Sequence, residues 1–253
     1  MILVNTKLIF IMSKRAVILA GGKGTRLLPY TVVLPKPLMP IGKYPILEVI
    51  VRQLAINGFT HITLAVNHQA EIIKAFFADG SRFNITIDYS LEDVPLGTMG
   101  PLKLINDLPE NFLVMNGDIL TDLDYASFYE NHVRDNEFLT VSSHQRMMQV
   151  DYGTLETDEK GYLAEFKEKP NLQYEVSMGI YMLNRDVLKF LPDDSPYGFD
   201  ELMFDLMKAK QRPAVRKFDG YWLDIGRPDD YMRAIDEFDE MQMKFFSGKK
   251  DNR

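Results

Sequence analysis

From Ala16 onward, short β-branched and aliphatic runs alternate with amphipathic stretches of helical length. Few folds accommodate that rhythm, because parallel strands need a crossover between them and a helix is the usual crossover. The spacing predicts strands over Ala16–Ala20, Ile62–Val66, Ile85–Tyr89 and Phe112–Met115, with helices over Pro45–Ile56, Ala70–Phe77 and Thr98–Ile105. After Glu137 the pattern turns to strand pairs. Tyr152–Thr157 and Tyr162–Lys167, split by Asp158, Glu159, Lys160 and Gly161, predict a hairpin; a strand follows over Val176–Leu183 and helices over Asp200–Ala209 and Pro228–Phe246. The expected class is α/β: a Rossmann-like, mixed but mostly parallel sheet flanked by helices, with a smaller hairpin-containing subregion.

No repeat period and no Pro/Gly/Ser linker marks a second domain, so one domain over 13–247 is expected, its first half about 13–136 and its second about 137–247. Met1–Met12 is apolar but interrupted by Asn5, Thr6 and Lys7, and reads as a dispensable extension with an alternative start at Met12; 248–253 reads as a tail. Outside that N-terminal stretch, no run of about 18 apolar residues, the minimum for a membrane-spanning helix, occurs. With 36 acidic against 29 basic residues, the net charge of −7 offers no broad positive field for nucleic acid or an anionic membrane. The absence of cysteine removes disulfides, zinc–thiolate sites and thiol nucleophiles, and it suits a reducing compartment, so the cytoplasm is the expected location. His61, His68, His132 and His144 show no metal-ligand spacing and read as surface or satisfied core residues. The apolar residues near the end, Met241, Met243, Phe245 and Phe246, read either as core filling or as packing on a second subunit, which leaves a homo-oligomer open.

The first strand runs directly into Gly21, Gly22, Lys23, Gly24, Thr25 and Arg26, followed by Pro29, Thr31, Pro35, Lys36, Pro37 and Pro40. Glycines without Cβ atoms let backbone N–H groups approach phosphate oxygens, at the strand end where open α/β sheets bind ligands. Two familiar phosphate loops fail here. The P-loop needs Gly-Lys-Ser/Thr where this chain has Gly22-Lys23-Gly24, and the dinucleotide fingerprint needs a third glycine where it has Leu27.

Leu19–Gly42 (LAGGKGTRLLPYTVVLPKPLMPIG) resembles the signature of the sugar-1-phosphate nucleotidyltransferases. Pro95-Leu96-Gly97-Thr98, Asn116-Gly117-Asp118, Glu168-Lys169-Pro170, Gly179-Ile180-Tyr181 and Trp222-Leu223-Asp224-Ile225-Gly226 follow in that family's order. The resemblance implies a metal-assisted, in-line attack of an acceptor phosphate on the α-phosphorus of a nucleoside triphosphate, releasing pyrophosphate. Such a reaction brings polyanions together, so cations must sit where charge accumulates. By the resemblance, Leu19, Ala20, Gly21, Gly22, Gly24, Thr25, Glu92 and Gly97 meet the nucleotide; Arg26 and Lys36 hold its triphosphate and, with Asp118, form the catalytic set. Gly153, Glu168, Lys169 and Ser177 meet a phosphorylated small-molecule acceptor, Lys169 holding its phosphate. Asp118 and Asp224 share a Mg²⁺, a hard ion that takes one or two carboxylates plus phosphate oxygens. Taken alone, Asp118 reads equally as a turn-former after Asn116-Gly117, Asp224 as a loop cap, and each Lys or Arg as a solvated cation.

Two residues bear on specificity. Ionised Glu92 only accepts hydrogen bonds, which suits an amino-bearing base and favours CTP or GTP over UTP or dTTP, a solvent-facing Glu beside Asp93 being the competing reading; the resemblance of the chain as a whole then puts CTP first and GTP second. Ser177 stands where family members often carry Asn for sugar contacts, which weakens the case for a sugar 1-phosphate. The chain as a whole resembles the cytidylyltransferase branch that acts on phosphoglutamine in bacterial capsule biosynthesis. A sugar-1-phosphate guanylyl- or other nucleotidyltransferase making a nucleoside-diphosphate sugar, and a catalytically silent nucleotide-binding regulatory protein of the same fold, are the alternatives.

Overall fold

The structure, a computed structural model, describes residues 13–193 and 195–247. The predicted extension and tail lie outside the described residues. In chain order the strands are β1 (Lys14–Leu19), β2 (Pro40–Ile41), β3 (Tyr44–Pro45), β4 (Phe59–Val66), β5 (Thr86–Leu91), β6 (Asn111–Asn116), β7 (Ile119–Thr121), β8 (Leu139–Gln149), β9 (Thr154–Thr157), β10 (Leu163–Lys167), β11 (Asn171–Asn184), β12 (Ala214–Lys217) and β13 (Trp222–Asp224). The α-helices are α1 (Ile46–Ile56), α2 (Ala70–Phe77), α3 (Tyr125–Arg134), α4 (Phe199–Lys208) and α5 (Pro228–Phe245).

Seven strands form the main sheet in the order β12-β8-β11-β6-β1-β4-β5. β6, β1, β4 and β5 run parallel, and β11 enters antiparallel between β6 and β8. Strand alternation divides the core into two layers. Ala16, Ile18, Leu113, Met115, Ile180 and Met182 face one layer, covered by α1, α2, α3 and α5. Val17, Phe112, Val114, Tyr181 and Leu183 face the other, under α4 and the short helical turns. Each buried Leu, Ile, Val or Met side chain contributes on the order of 2 kcal/mol, so this alternation is the fold's main source of stability. The α/β expectation holds.

Two differences are instructive. Thr98–Ile105 is not an α-helix but a 3₁₀ turn over Gly100–Leu104. Pro101 has no N–H to give, and the N–H groups of Met99 and Gly100 both donate to the Tyr197 carbonyl, at 2.9 and 3.1 Å, from a distant segment. Helix α3 was not anticipated; Asp124 caps it by accepting from the Ser127 N–H at 2.8 Å. At the C-terminal end, Met241 and Phe245 are buried in the core while Met243 is 83% exposed, so the apolar run divides between two faces of α5. Among the described residues no helix is long and apolar enough to cross a membrane.

Candidate active site

The chain steps outward from β1 to β4 and β5 on one side, then returns to place β6 on the other. That reversal is a topological switch point, where parallel sheets open a crevice at the carboxyl ends of their strands. The residues just beyond those ends are the Gly21–Gly24 loop after β1, Asn67 after β4, Glu92 after β5 and Asp118 after β6. They converge on one cleft of about 470 Å³, lined by Leu19, Gly21, Gly22, Lys23, Asn67, Glu92, Pro95, Gly97, Thr98, Pro101, Asn116 and Asp118.

Local packing sets the walls of this cleft. Gly117 donates its N–H to the Leu19 carbonyl at 2.9 Å, and a Cβ there would lie 3.0 Å from that oxygen. Glycine therefore lets β6 carry Asp118 close against the loop. Gly97, at φ +80°, packs so tightly on Tyr197 that a Cβ would come within 2.7 Å of its carbonyl oxygen. Glu92 accepts the Leu96 N–H on Oε2 at 3.0 Å, while Asn67 donates to the Glu92 carbonyl at 3.0 Å. The side chain is thus braced at the cleft wall, with Oε1 toward Gly21. Burial raises the Glu92 carboxyl above its ordinary range, partly offset by the Leu96 N–H.

At the floor of the crevice two distant aspartates meet. β13 pairs antiparallel with β7, setting Asp224 opposite Ile119, and the Ile225 N–H donates to the Asp118 carbonyl at 3.0 Å. Burial raises the Asp224 carboxyl, and the neighbouring Asp118 charge raises it further; Lys36 and Arg26 oppose both. The Lys36 ammonium bonds Asp118 Oδ2, and its side chain is only 10% exposed. A Cβ on Gly226 would lie 3.6 Å from both an Arg26 guanidinium nitrogen and Asp224 Oδ1, so Arg26 also reaches this floor. Gly24, at φ +61°, folds the loop back onto Lys36 and Thr31, and Thr31 Oγ1 donates to the Gly24 carbonyl at 2.9 Å.

The donor set suits a hard divalent cation. Asp118 Oδ1 is buried with no hydrogen-bond partner, and Asp224 stands beside it. Among the described residues no group of three or more His, Cys, Asp or Glu could hold a metal, so two carboxylates would leave further positions for phosphate oxygens and water, as Mg²⁺ prefers.

A second cavity of about 300 Å³ opens beyond Asp224, lined by Asn116, Arg146, Val176, Ser177, Met178, Gly179, Tyr181, Trp222 and Asp224. Ser177 Oγ donates to Tyr181 Oη at 3.2 Å and accepts the Gly179 N–H at 3.3 Å. Gly153 and Glu168 do come together, since a Cβ on Gly153 would sit 3.1 Å from Glu168 Oε2. They lie with exposed Lys169 on the β9–β10 arm and line neither cavity. Ala20 is buried and donates its N–H to Ala65 at 2.8 Å, so that group continues the sheet and is not presented to the cleft. Thr25 is exposed outside the cavity walls.

Sequence reasoning missed Lys23, Asn67, Thr98, Asn116 and Arg146 on these walls. Asn67 was accessible from the rule that residues just past parallel strand ends face the crevice. Asn116 and Thr98 sat inside motif blocks already in view. Arg146 carried no signal.

The model of the nucleotidyl transferase family matches residues 15–240. The chain is 35% identical over 225 residues to the D-glycero-alpha-D-manno-heptose 1-phosphate guanylyltransferase of Campylobacter jejuni, covering 87% of this chain and 98% of that one. It is 33% identical over 241 residues to the UTP--glucose-1-phosphate uridylyltransferase of Synechocystis sp., covering 87% of this chain but spanning only 62% of that relative's length. Among solved structures, HddC from Yersinia pseudotuberculosis complexed with GMP-PN superposes with a TM-score of 0.68 at 30% identity, covering 89% of this chain and 99% of that one. With the family's model spanning nearly the whole described chain and a relative of 35% identity matched almost end to end, the chain belongs to the nucleotidyl transferase family.

Proposed function

We propose that the protein transfers a nucleotidyl group from a nucleoside triphosphate to the phosphate of a sugar 1-phosphate, with GTP as the donor. The observation that carries this reading is the meeting of Asp118, Asp224, Lys36 and Arg26 beside the glycine loop. In the reaction an oxygen of the acceptor phosphate forms a bond to the α-phosphorus, the bond from the α-phosphorus to the α–β bridging oxygen breaks, and pyrophosphate leaves carrying that bridging oxygen. Loop N–H groups of Gly21 and Gly22 meet phosphate oxygens, while Lys36 and Arg26 offset the charge of the leaving pyrophosphate. Asp118 and Asp224 would hold a Mg²⁺, which supplies Lewis-acid polarisation of the phosphoryl oxygens when bound.

Glu92 supports guanine over the cytosine expected first. One carboxylate oxygen is spent on Leu96, leaving Oε1 as an acceptor. Guanine presents adjacent N–H donors on its Watson–Crick edge, whereas cytosine sets its single amine beside an acceptor nitrogen that a carboxylate repels. The guanylyltransferase name of the Campylobacter relative and the GMP-PN in the Yersinia structure point the same way.

CTP with phosphoglutamine is the second pairing. It is favoured by Ser177, whose hydroxyl is engaged by Gly179 and Tyr181 and so offers little to a sugar hydroxyl. Pyrophosphate release with Mg²⁺, each of GTP, CTP, UTP and dTTP, and a panel of sugar 1-phosphates plus phosphoglutamine tests the reading. GTP with a sugar 1-phosphate is expected to give the highest kcat/KM. Release with no pair would leave a nucleotide-binding protein without catalysis.

A further inference from the structure

Asp118 lines the 470 Å³ cleft and Asp224 the 300 Å³ cavity beyond it. Among the described residues, Asn116 is the one that stands on the walls of both. It is the last residue of β6, in register with Leu19 of β1, and the bond from the Gly117 N–H to the Leu19 carbonyl ties down the next position. Asn116 follows Phe112 and Val114 along the face of β6 that packs under α4. Its backbone is thus fixed at the strand end where the crevice opens.

Gly179, on the wall of the 300 Å³ cavity, makes room for the side chain. At φ +73° it lies so close that a Cβ there would come 2.7 Å from Asn116 Nδ2 and 3.2 Å from Cγ. The amide therefore stands at the edge of that cavity, with Nδ2 toward Gly179 and Oδ1 turned from it. Asn116 is half-buried, and among the described residues its amide has no hydrogen-bond partner in the protein. Two N–H donors and one carbonyl acceptor are left for the molecules that fill the hollows on either side.

We infer that Asn116 touches both substrates at once and couples their binding. Nδ2 donates to an oxygen in the organic part of the acceptor, and Oδ1 accepts from a ribose hydroxyl of the nucleotide. The inference rests on the proposed nucleotidyl transfer. Attack needs the reacting atoms about 3 to 3.5 Å apart, so the two substrates must meet where the hollows adjoin, and Asn116 is the residue common to both. Oδ1 pairs only with a donor; phosphate oxygens repel it, whereas the ribose beside the α-phosphate carries hydroxyls. Whichever substrate binds first orients the amide, and the second then meets a side chain whose rotamer freedom is already spent. Such coupling is reciprocal, and freezing one side chain corresponds to roughly 3- to 10-fold in affinity.

Protein labelled with ¹⁵N-asparagine carries a side-chain NH₂ signal for Asn116, identified by its loss in Asn116→Ser. The donor probe is Mg²⁺ with α,β-methylene-GTP, which cannot release pyrophosphate; the acceptor probes are mannose 1-phosphate, glucose 1-phosphate and phosphoglutamine. The signal is expected to move saturably with the GTP analogue, to move again when an acceptor is added, and to stay fixed with Mg²⁺ and tripolyphosphate, which has no ribose. By calorimetry, saturating analogue should favour acceptor binding roughly 3- to 10-fold more in the parent than in Asn116→Ala, with Asn116→Ser recovering part of the difference. A side chain that only packs would leave that coupling unchanged. An Asn116 signal that answers to the analogue and to none of the acceptors, to acceptors alone, to neither, or to tripolyphosphate as much as to the analogue would overturn the inference, as would equal coupling in the parent and Asn116→Ala. If the signal answers to both substrates while no pair of triphosphate and acceptor releases pyrophosphate, the shared contact stands and the transfer falls.

Discussion

Replacing Lys36 with Met tests the electrostatics of the crevice floor. Methionine keeps the aliphatic stem that packs on Gly24 but removes the ammonium, leaving Asp118 and Asp224 as two neighbouring carboxylates with Arg26 the remaining cation among those acting on Asp224. Breaking a fully buried pair costs about 3 to 5 kcal/mol. Here the Lys36 side chain is 10% exposed and that of Asp118 21%, so solvent screens part of the stranded charge and about 2 kcal/mol is the expected loss. Urea denaturation at neutral pH in EDTA reads that loss. Mg²⁺ at about ten times the parent's Kd stabilises the parent by roughly 1.4 kcal/mol, and at that same concentration the gain should be larger in Lys36→Met if the cations and the ion neutralise the same carboxylates. Turnover should fall by about 10³-fold or more, as when a charge-stabilising group is removed from a phosphoryl-transfer site. A variant as stable as the parent, unresponsive to Mg²⁺ and active within threefold, would refute the placement of Lys36.

Three further outcomes follow from particular side chains. Glu92→Gln retains an acceptor for Leu96 but loses the charge, so the GTP KM should rise about 10-fold, while UTP, whose O4 can accept from the new amide, should improve; equal effects on both bases would remove Glu92 from base recognition. His132, buried between Thr140 and Asn111, has its pKa lowered to about 4 by desolvation. The unfolded chain therefore takes up a proton below about 6.5 that the folded one refuses, so stability falls as pH drops through that window, by up to about 2 kcal/mol between pH 6.5 and 5; urea melts of His132→Gln should lack this component. Gly97→Ala places a Cβ 2.7 Å from the Tyr197 carbonyl oxygen at positive φ, so a loss of about 2 kcal/mol in thermal or urea melts is expected, with a higher triphosphate KM. An unshifted melt would show that the Tyr197 segment yields.

Much of the sheet was legible because its residues obey a simple period. Helix α2 was found with its observed bounds, Ala70–Phe77, and β4, β5 and β6 came within three residues at each end. Thr98–Ile105 misled because its apolar spacing fits a helix, while Tyr197, almost a hundred positions on, claims the backbone N–H groups. The adjacency of Asp118 and Asp224 could not be read from either residue's neighbours, since it depends on the long-range pairing of β13 with β7; only the motif resemblance carried it. Arg146 was invisible for the opposite reason. It sits in a strand whose outer half is exposed and charged or polar in places, where an arginine looks like a solvated cation, and only the cavity beneath it distinguishes it. The order of CTP over GTP rested on the whole-chain resemblance, since a carboxylate's acceptor character suits either amino-bearing base. The bond from Leu96 to Glu92, which leaves one oxygen for the base, is a tertiary fact.

The most direct measurement is anomalous diffraction at the manganese edge from crystals soaked with Mn²⁺ and a non-hydrolysable GTP analogue. The account predicts a single strong peak between the Asp118 and Asp224 carboxylates, touching the α-phosphate, and its loss in Asp118→Asn. A peak held by other residues, or an analogue bound with those two carboxylates turned away from it, would contradict it.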